Sequence, residues 1–223
     1  MASSTIENYV KQIYLIQQEL GQPQAPMGRL STALGITPGT ATTMVKALAD
    51  SGLAVYEPRV GVSLSPGGEK LALHVLRRHR LVELFLVQVL ELDWSEVHEE
   101  AERLEHAISD KVMERIDAYL NFPTHDPHGD PIPDAEGEIA TTEDLALPDV
   151  GEGPTLVVVR VLDQSPDFLQ FMNRNKLQPG CEIEVVHSDR VSDSMTLKVG
   201  GGHVVTMGMS VARQIRVARR PLR

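Results

Sequence analysis

Apolar residues recur at helical spacing from the start of the chain. Ile6, Tyr9, Val10, Ile13, Ile16 and Leu20 form one stripe. Ser4-Thr5-Ile6-Glu7 reads as a capping box that opens this helix, and Gly21 closes it. A short helix is predicted from Met27 to Leu34, stopped by Gly35. Thr37 followed by Pro38 is an N-cap and first-turn pair, and it starts a helix reaching about Ser51 with Ala41, Met44, Val45 and Leu48 inward. Two short strands, around Leu53–Glu57 and Val62–Leu64, flank the turn Pro58-Arg59-Val60-Gly61. A long helix is predicted from about Glu69 to Leu90, and a second from about Ser95 to Leu120. Residues 121–150 are rich in Pro, Gly and Asp and read as loop and linker. From Thr155 the texture changes to short β-like runs, LVVVRVL, CEIEVVHS, MTLKVG, HVVTMG and ARQIRVA, which suggest a small β-barrel or sandwich.

Two short helices joined at Gly35-Ile36-Thr37 and followed by a hairpin make a winged helix-turn-helix. Its second helix is the one that would enter a DNA major groove. The outward side chains there are Thr37, Thr40, Thr42, Thr43 and Lys46. Threonine hydroxyls can bond phosphates or bases, and threonine methyls can touch thymine. Lys46 is placed for phosphate, and Arg59 at the wing tip for phosphate or the minor groove.

Charge complicates this picture and then sharpens it. The 223 residues carry a formal charge of −10. Residues 1–73 are net 0, residues 74–150 are net −13, and residues 151–223 are net +3. A neutral winged helix has few cations to set against phosphate in each monomer, so DNA binding calls for a dimer. The acidic excess sits in the middle segment, together with six of the eight histidines: His74, His79, His98, His106, His125 and His128. Acid and imidazole concentrated together suggest cation binding. The single cysteine, Cys181, excludes an intramolecular disulfide and a Cys-rich zinc module, and points to a reducing cytosol. No secretory signal is read at the start. The longest apolar stretch, Leu81 to Leu92, is interrupted by Glu83, Gln88 and Glu91, unlike an ordinary membrane span.

Spacing refines the cation reading. His79 and Glu83 are four apart on the first long helix and share a face. On the next, His98, Glu102, Glu105 and His106 fall together beside the apolar stripe of Val97, Ala101, Leu104 and Ile108. Three carboxylates and three imidazoles without a thiolate suit Mn²⁺ or Fe²⁺ and could hold two ions. The same residues also read as a salt-bridged, solvated helix.

The segments RRHRLVELFL, VHEEAERLEHAISDKV and PHGDPIP resemble the diphtheria toxin repressor family of metal-dependent transcription regulators. The resemblance covers nearly the whole chain. It implies an α+β protein with a winged-helix DNA-binding domain at 1–73, an all-α dimerisation and metal-binding domain at 74–142, and an SH3-like domain of FeoA type at 143–223. It implies one metal site at His79, Glu83 and His98, helped by the C-terminal domain. The other would use the positions of Asn8, Glu102, Glu105 and His106. Among Asp163, Gln164 and Asp167, in the loop where the family places its extra ligands, Asp167 is the chosen candidate, with Asp126 a weaker one. His125 and His128 read as loop residues, and Arg80 has no ligand role.

Two departures bear on the metal. Iron-responsive members carry Cys where this chain has Glu102, and manganese-responsive members carry Glu. Asn8 stands where iron members tend to have Met and manganese members Asp. Glu102 favours an oxygen-rich site and hence Mn²⁺ over Fe²⁺. The expected function is a cytoplasmic, homodimeric, manganese-activated repressor of metal-uptake genes that binds a double-stranded operator, without membrane attachment or catalytic activity. The alternatives are an iron-dependent repressor, a winged-helix regulator sensing a non-metal ligand through its C-terminal domain, and a di-metal carboxylate enzyme. Ferritin-like enzymes use Glu-x-x-His pairs on a four-helix bundle, a spacing not found at Glu105-His106.

Overall fold

The computed structural model describes residues 3–140 and 143–219. The chain divides into two compact units, one of residues 1–79 with 133–138, the other of residues 80–132 and 139–223.

The first unit begins with α1 (Ser4–Leu20), α2 (Met27–Ala33) and α3 (Pro38–Asp50). The cap of α1 is Ser3, one residue ahead of the expected box; its Oγ accepts from Ile6 N at 3.4 Å. Gly21 closes α1 in the left-handed region, at φ 59°. Thr37 caps α3 as expected, accepting from Thr40 N at 3.2 Å, with Pro38 in the first turn. The wing is an antiparallel hairpin of β1 (Ala54–Glu57) and β2 (Gly61–Leu64), with Tyr56 opposite Val62. Ala25 adds a third rung by exchanging both backbone hydrogen bonds with Val62, at 2.8 and 3.0 Å. A Cβ on Gly61 would lie 2.5 Å from the Ala25 carbonyl oxygen, so only glycine lets that rung close. Val10, Ile13, Leu30, Val45, Leu48 and Val62 are fully or almost fully buried.

Helix α4 (Pro66–Gln88) starts in the first unit and continues into the second. In the second unit follow α5 (Val97–Leu104) and α6 (Asp110–Tyr119). Leu81, Val82, Leu84 and Leu86 pack with Val97, Ala101, Met113 and Ile132 into one small core. Here the sequence predicts one helix over 95–120, and the chain instead breaks between Leu104 and Asp110. Ser109 has an extended ψ of 155° and occupies the N-cap position of α6. Serine followed by aspartate is a helix-start signal that the continuous apolar stripe conceals.

The C-terminal part is an antiparallel six-stranded sheet in the order β3-β8-β4-β5-β6-β7. Its strands are β3 (Leu145–Ala146), β4 (Thr155–Val161), β5 (Glu182–Asp189), β6 (Ser194–Val199), β7 (His203–Gly208) and β8 (Ile215–Arg219). Helices α7 (Pro166–Arg174) and α8 (Met209–Ala212) connect them. Leu156, Val158, Ile183, Met195, Leu197 and Val217 fill the core with Phe168, Leu169 and Met172 of α7. Each such side chain contributes about 1.5–3 kcal/mol by leaving water. Trp94, from the turn before α5, belongs to this same core.

Candidate metal centre

In the first unit, His79 is the last donor α4 carries, and its Nδ1 lies 3.4 Å from the Nζ of Lys11 on α1. Both side chains are buried. An ammonium can only donate, so Nδ1 accepts and Nε2 carries the ring hydrogen. Ligation of a cation by His79 therefore requires Lys11 to release Nδ1. Lys11 was not legible as part of the site, because a lysine beside an apolar stripe ordinarily faces water. Asn8, one turn earlier on α1, is half-buried.

In the second unit, Glu83 of α4 is almost fully buried, at 1% exposure. Its Oε1 lies 3.2 Å from His98 Nδ1, and its Oε2 lies 3.8 Å from His128 Nδ1. His98 is exposed on α5 and places its other nitrogen, Nε2, 3.8 Å from Glu102 Oε1. The expected pairing of Glu83 with His98 across two helices is thus present. Glu105 is fully buried, and its Oε1 lies 3.3 Å from His106 Nε2. Because α5 ends at Leu104, these last two residues stand in the turn after the helix rather than on its face.

His128 is not the solvated loop residue its Pro-His-Gly-Asp setting suggests. It is 1% exposed, and Nδ1 is buried with no hydrogen bond. Nε2 lies 3.0 Å from the Trp94 carbonyl oxygen, and the imidazole stacks on the Trp94 ring with centroids 5.4 Å apart. Asp126 is buried next to it. Its Oδ1 accepts from the backbone N–H groups of His128 and Asp130 at 2.8 and 2.9 Å. Glu83, Asp126 and His128 each offer a ligand atom, and these atoms all lie within 4.8 Å of one another. Burial, then the charges of Asp130 and Glu83, push the Asp126 carboxyl well above the usual range, against the pull of Arg80. Arg80 pairs with Asp126 at 3.5 Å and Asp130 at 3.6 Å, which is the structural role left to it by the sequence. Two carboxylates and an unused imidazole lone pair, closed off from solvent, fit a borderline-hard divalent cation.

Asp167 lies in the first turn of α7 rather than in a loop, and it is exposed. Gln164 donates to Asp130 Oδ2 at 2.8 Å. In the first unit, Thr37, Thr40, Thr43, Lys46 and Arg59 are exposed and Thr42 half-buried. Thr42 and Thr43 donate their hydroxyls to the Pro38 and Gly39 carbonyls at 2.8 and 3.1 Å. Each keeps an oxygen that can accept, with its own hydrogen already spent. Arg59 takes a left-handed φ of 71° at the wing tip.

A winged helix in one unit and a buried histidine–carboxylate cluster in the other define a metal-dependent DNA-binding regulator. The family descriptions "Iron dependent repressor, N-terminal DNA binding domain", "Iron dependent repressor, metal binding and dimerisation domain" and "FeoA domain" match residues 1–62, 65–134 and 145–219. The chain is 30% identical to the iron-dependent repressor IdeR of Mycobacterium leprae, over 96% of this chain and 97% of that one. It is 30% identical to the diphtheria toxin repressor of Corynebacterium diphtheriae, over 83% of this chain and 85% of that one. A solved manganese-dependent transcriptional repressor in complex with manganese superposes with a TM-score of 0.86 at 35% identity, over 96% of this chain and 100% of that one. The chain belongs to the iron-dependent, or diphtheria toxin, repressor family. That family comprises metal-dependent DNA-binding repressors, not enzymes, and has both iron- and manganese-dependent members.

Proposed function

We propose that this chain is a cytoplasmic, manganese-activated repressor that binds a two-fold operator as a homodimer and represses genes of metal uptake. The observation that carries the reading is the donor set around Glu83: buried oxygen and imidazole donors, an imidazole Nδ1 without a hydrogen bond, and no thiolate. We assign one ion to Glu83, Asp126 and His128. On the family's pattern, His79, Glu83 and His98 form one site. Asn8, Glu102, Glu105 and His106 form a second set on the family's pattern, and Asp167 remains a candidate from the C-terminal domain on the same ground. Glu102, in place of a cysteine, supports Mn²⁺ over Fe²⁺. A bound divalent cation supplies the positive charge that lets these carboxylates stay ionised out of water.

The chain's own part is to hold the donors in place and to present Thr37, Thr40, Thr42, Thr43, Lys46 and Arg59 to DNA. Metal and operator are linked: whatever factor the metal adds to DNA affinity, the DNA adds to metal affinity. The test is fluorescence anisotropy of chelator-stripped protein on DNA from its own upstream region, at fixed salt, titrated with Mn²⁺ and then with anaerobic Fe²⁺. Tight binding with Mn²⁺ and not without it supports the proposal. A stronger response to Fe²⁺ at cellular concentrations would assign the chain to the iron-dependent members. Tight binding without metal would overturn metal activation altogether.

A further inference from the structure

His128 is held by groups that decide which of its ring nitrogens can take a cation. The Trp94 carbonyl can only accept, so Nε2, 3.0 Å away, carries the hydrogen. In the neutral ring, Nδ1 is then the lone-pair nitrogen, and it is the atom that faces Glu83 Oε2 at 3.8 Å. The Trp94 indole lies on the ring at an interplanar angle of 22° and fixes its plane. Trp94 packs in the core of the C-terminal domain, where its one side-chain hydrogen-bonding group is met by the amide of Asn173 on α7. The indole N–H donates to Asn173 Oδ1. Asn173 Nδ2 donates to both carboxylate oxygens of Asp93 at 3.0 Å. Gln178 Nε2 donates to the same Oδ1 at 2.7 Å. The acceptor-only Asp93 and the donor-only indole fix the amide's orientation. Asp93 Oδ1 closes the turn by accepting from Ser95 N and Ser95 Oγ at 2.9 and 2.6 Å.

We propose that Trp94 and Asn173 are positioning residues of the metal site: Asn173 clamps the Asp93-Trp94-Ser95 turn, and the turn's carbonyl and indole set the tautomer and plane of His128. The inference rests on the reading of His128 as a ligand. It makes docking of the C-terminal domain and affinity for the cation one linked quantity, since removing the clamp from the apo protein must cost affinity for the ion. Outer partners that orient a ligating histidine typically change metal affinity by about 10–100-fold. Trp94 is also the sole tryptophan of the chain, so its emission reports on the ring it stacks against.

The experiment uses the full-length protein and Mn²⁺, with free Mn²⁺ followed by electron paramagnetic resonance. Asn173→Ala, Trp94→Phe and His128→Gln are compared with the parent. The tautomer is read from ¹⁵N–¹H correlations of the histidine rings in the metal-free protein, the His128 signals being those absent in H128Q. The parent is expected to show the Nε2–H form and quenching of Trp94 emission by Mn²⁺, and H128Q to lose that quenching. N173A is expected to weaken Mn²⁺ binding at this site by about 10–100-fold and to mix the two tautomers. W94F, which keeps the backbone carbonyl and an aromatic face but loses the indole N–H, should move both readouts the same way to a smaller extent. If N173A does not fold, W94F alone decides. Unchanged Mn²⁺ affinity in H128Q would overturn the ligand assignment. Weakened binding in H128Q with parental affinity and tautomer in N173A and W94F would overturn the clamp and leave the ligand assignment standing.

Discussion

Replacing Gly129 by alanine should cost far more than a methyl group on a surface loop ordinarily does. Gly129 has φ +87°, and a Cβ there would meet the Val159 carbonyl oxygen at 1.9 Å and the Arg160 Cα at 2.7 Å. Neither obstacle is a side-chain tip that can swing away. A left-handed backbone costs a residue with a Cβ about 1–2 kcal/mol. Forcing β4 aside costs about 1–3 kcal/mol more, as overpacking does in cores. The shift also opens the hydrogen bond from Val161 N to His128 O, now 2.9 Å, worth about 0.5–1.5 kcal/mol. The sum is about 2.5–6.5 kcal/mol, or roughly 5–26 °C in midpoint for a chain of this size. Urea and thermal denaturation followed by Trp94 emission report on the second unit, to which Trp94 belongs. Gly151→Ala is the control: its Cβ meets nothing within 4 Å, so it should stay within about 0.5 kcal/mol of the parent. A Gly129→Ala protein within about 1 kcal/mol of the parent would refute the account of this junction.

Three other perturbations probe separate parts of the molecule. Glu102→Cys should move the response in the anisotropy titration toward Fe²⁺, because a thiolate softens the donor set; an unchanged ranking of the two ions would count against Glu102 as the selective ligand. Lys46→Ala and Arg59→Ala should each weaken operator and random DNA alike and lower the salt slope of binding by about one for each cation removed from a phosphate, whereas weakening confined to the operator would make them base readers. Hydrogen bonds from the Ser95 side chain first, then from its backbone N–H and from Asn173, hold the Asp93 carboxyl below the usual range, against some desolvation. The unfolded chain therefore takes up this proton first. The stability Asp93 adds is fully present above the unfolded value, near 3.9, and is lost as pH falls through the folded one. The stability gap between the parent and Asp93→Asn should close below about pH 4; a gap of constant size from neutral to acid pH would refute this.

Much of the fold was readable because its elements carry their own boundary signals. Thr37-Pro38 starts α3, and Pro58-Arg59-Val60-Gly61 turns the wing. The α5–α6 break was hidden because Ile108 continues the apolar spacing through it, while the signal that ends it, Ser109-Asp110, is polar and local. Helix α7 was hidden for the opposite reason. Its start, Ser165-Pro166, was present, but Phe168, Leu169 and Met172 are too few for a periodicity to stand out between β runs. In the candidate site, the approach of Glu83 and His98 was legible because helical spacing brings side chains four apart to one face, whereas Glu105 and His106 stand in the turn after α5. His128 was not, because what buries it is Trp94, 34 residues earlier in the chain. A Pro-rich turn gives no sign that a distant tryptophan covers it.

A few of the acidic residues of the middle segment acquire a reason from this arrangement. Surface carboxylates cost little, but Glu83, Glu105 and Asp126 are buried, where an ionised oxygen needs a positive or hydrogen-bonding partner. Arg80 is spread over Asp126 and Asp130, Arg160 over Asp130 and Asp144, and Arg216 returns to Asp144 at 2.7 Å. The guanidinium groups thus form a chain that runs toward the C-terminal sheet, while Glu83 meets the two imidazoles of His98 and His128. The Asp126 carboxyl is raised first by burial and then by the charges of Asp130 and Glu83, against the pull of Arg80. A core selected for stability alone would replace such a cluster with apolar side chains of similar volume. Its presence beside a histidine whose Nδ1 makes no hydrogen bond supports the proposed cation site. Donors held in place before the ion arrives leave less ordering to be done when it binds.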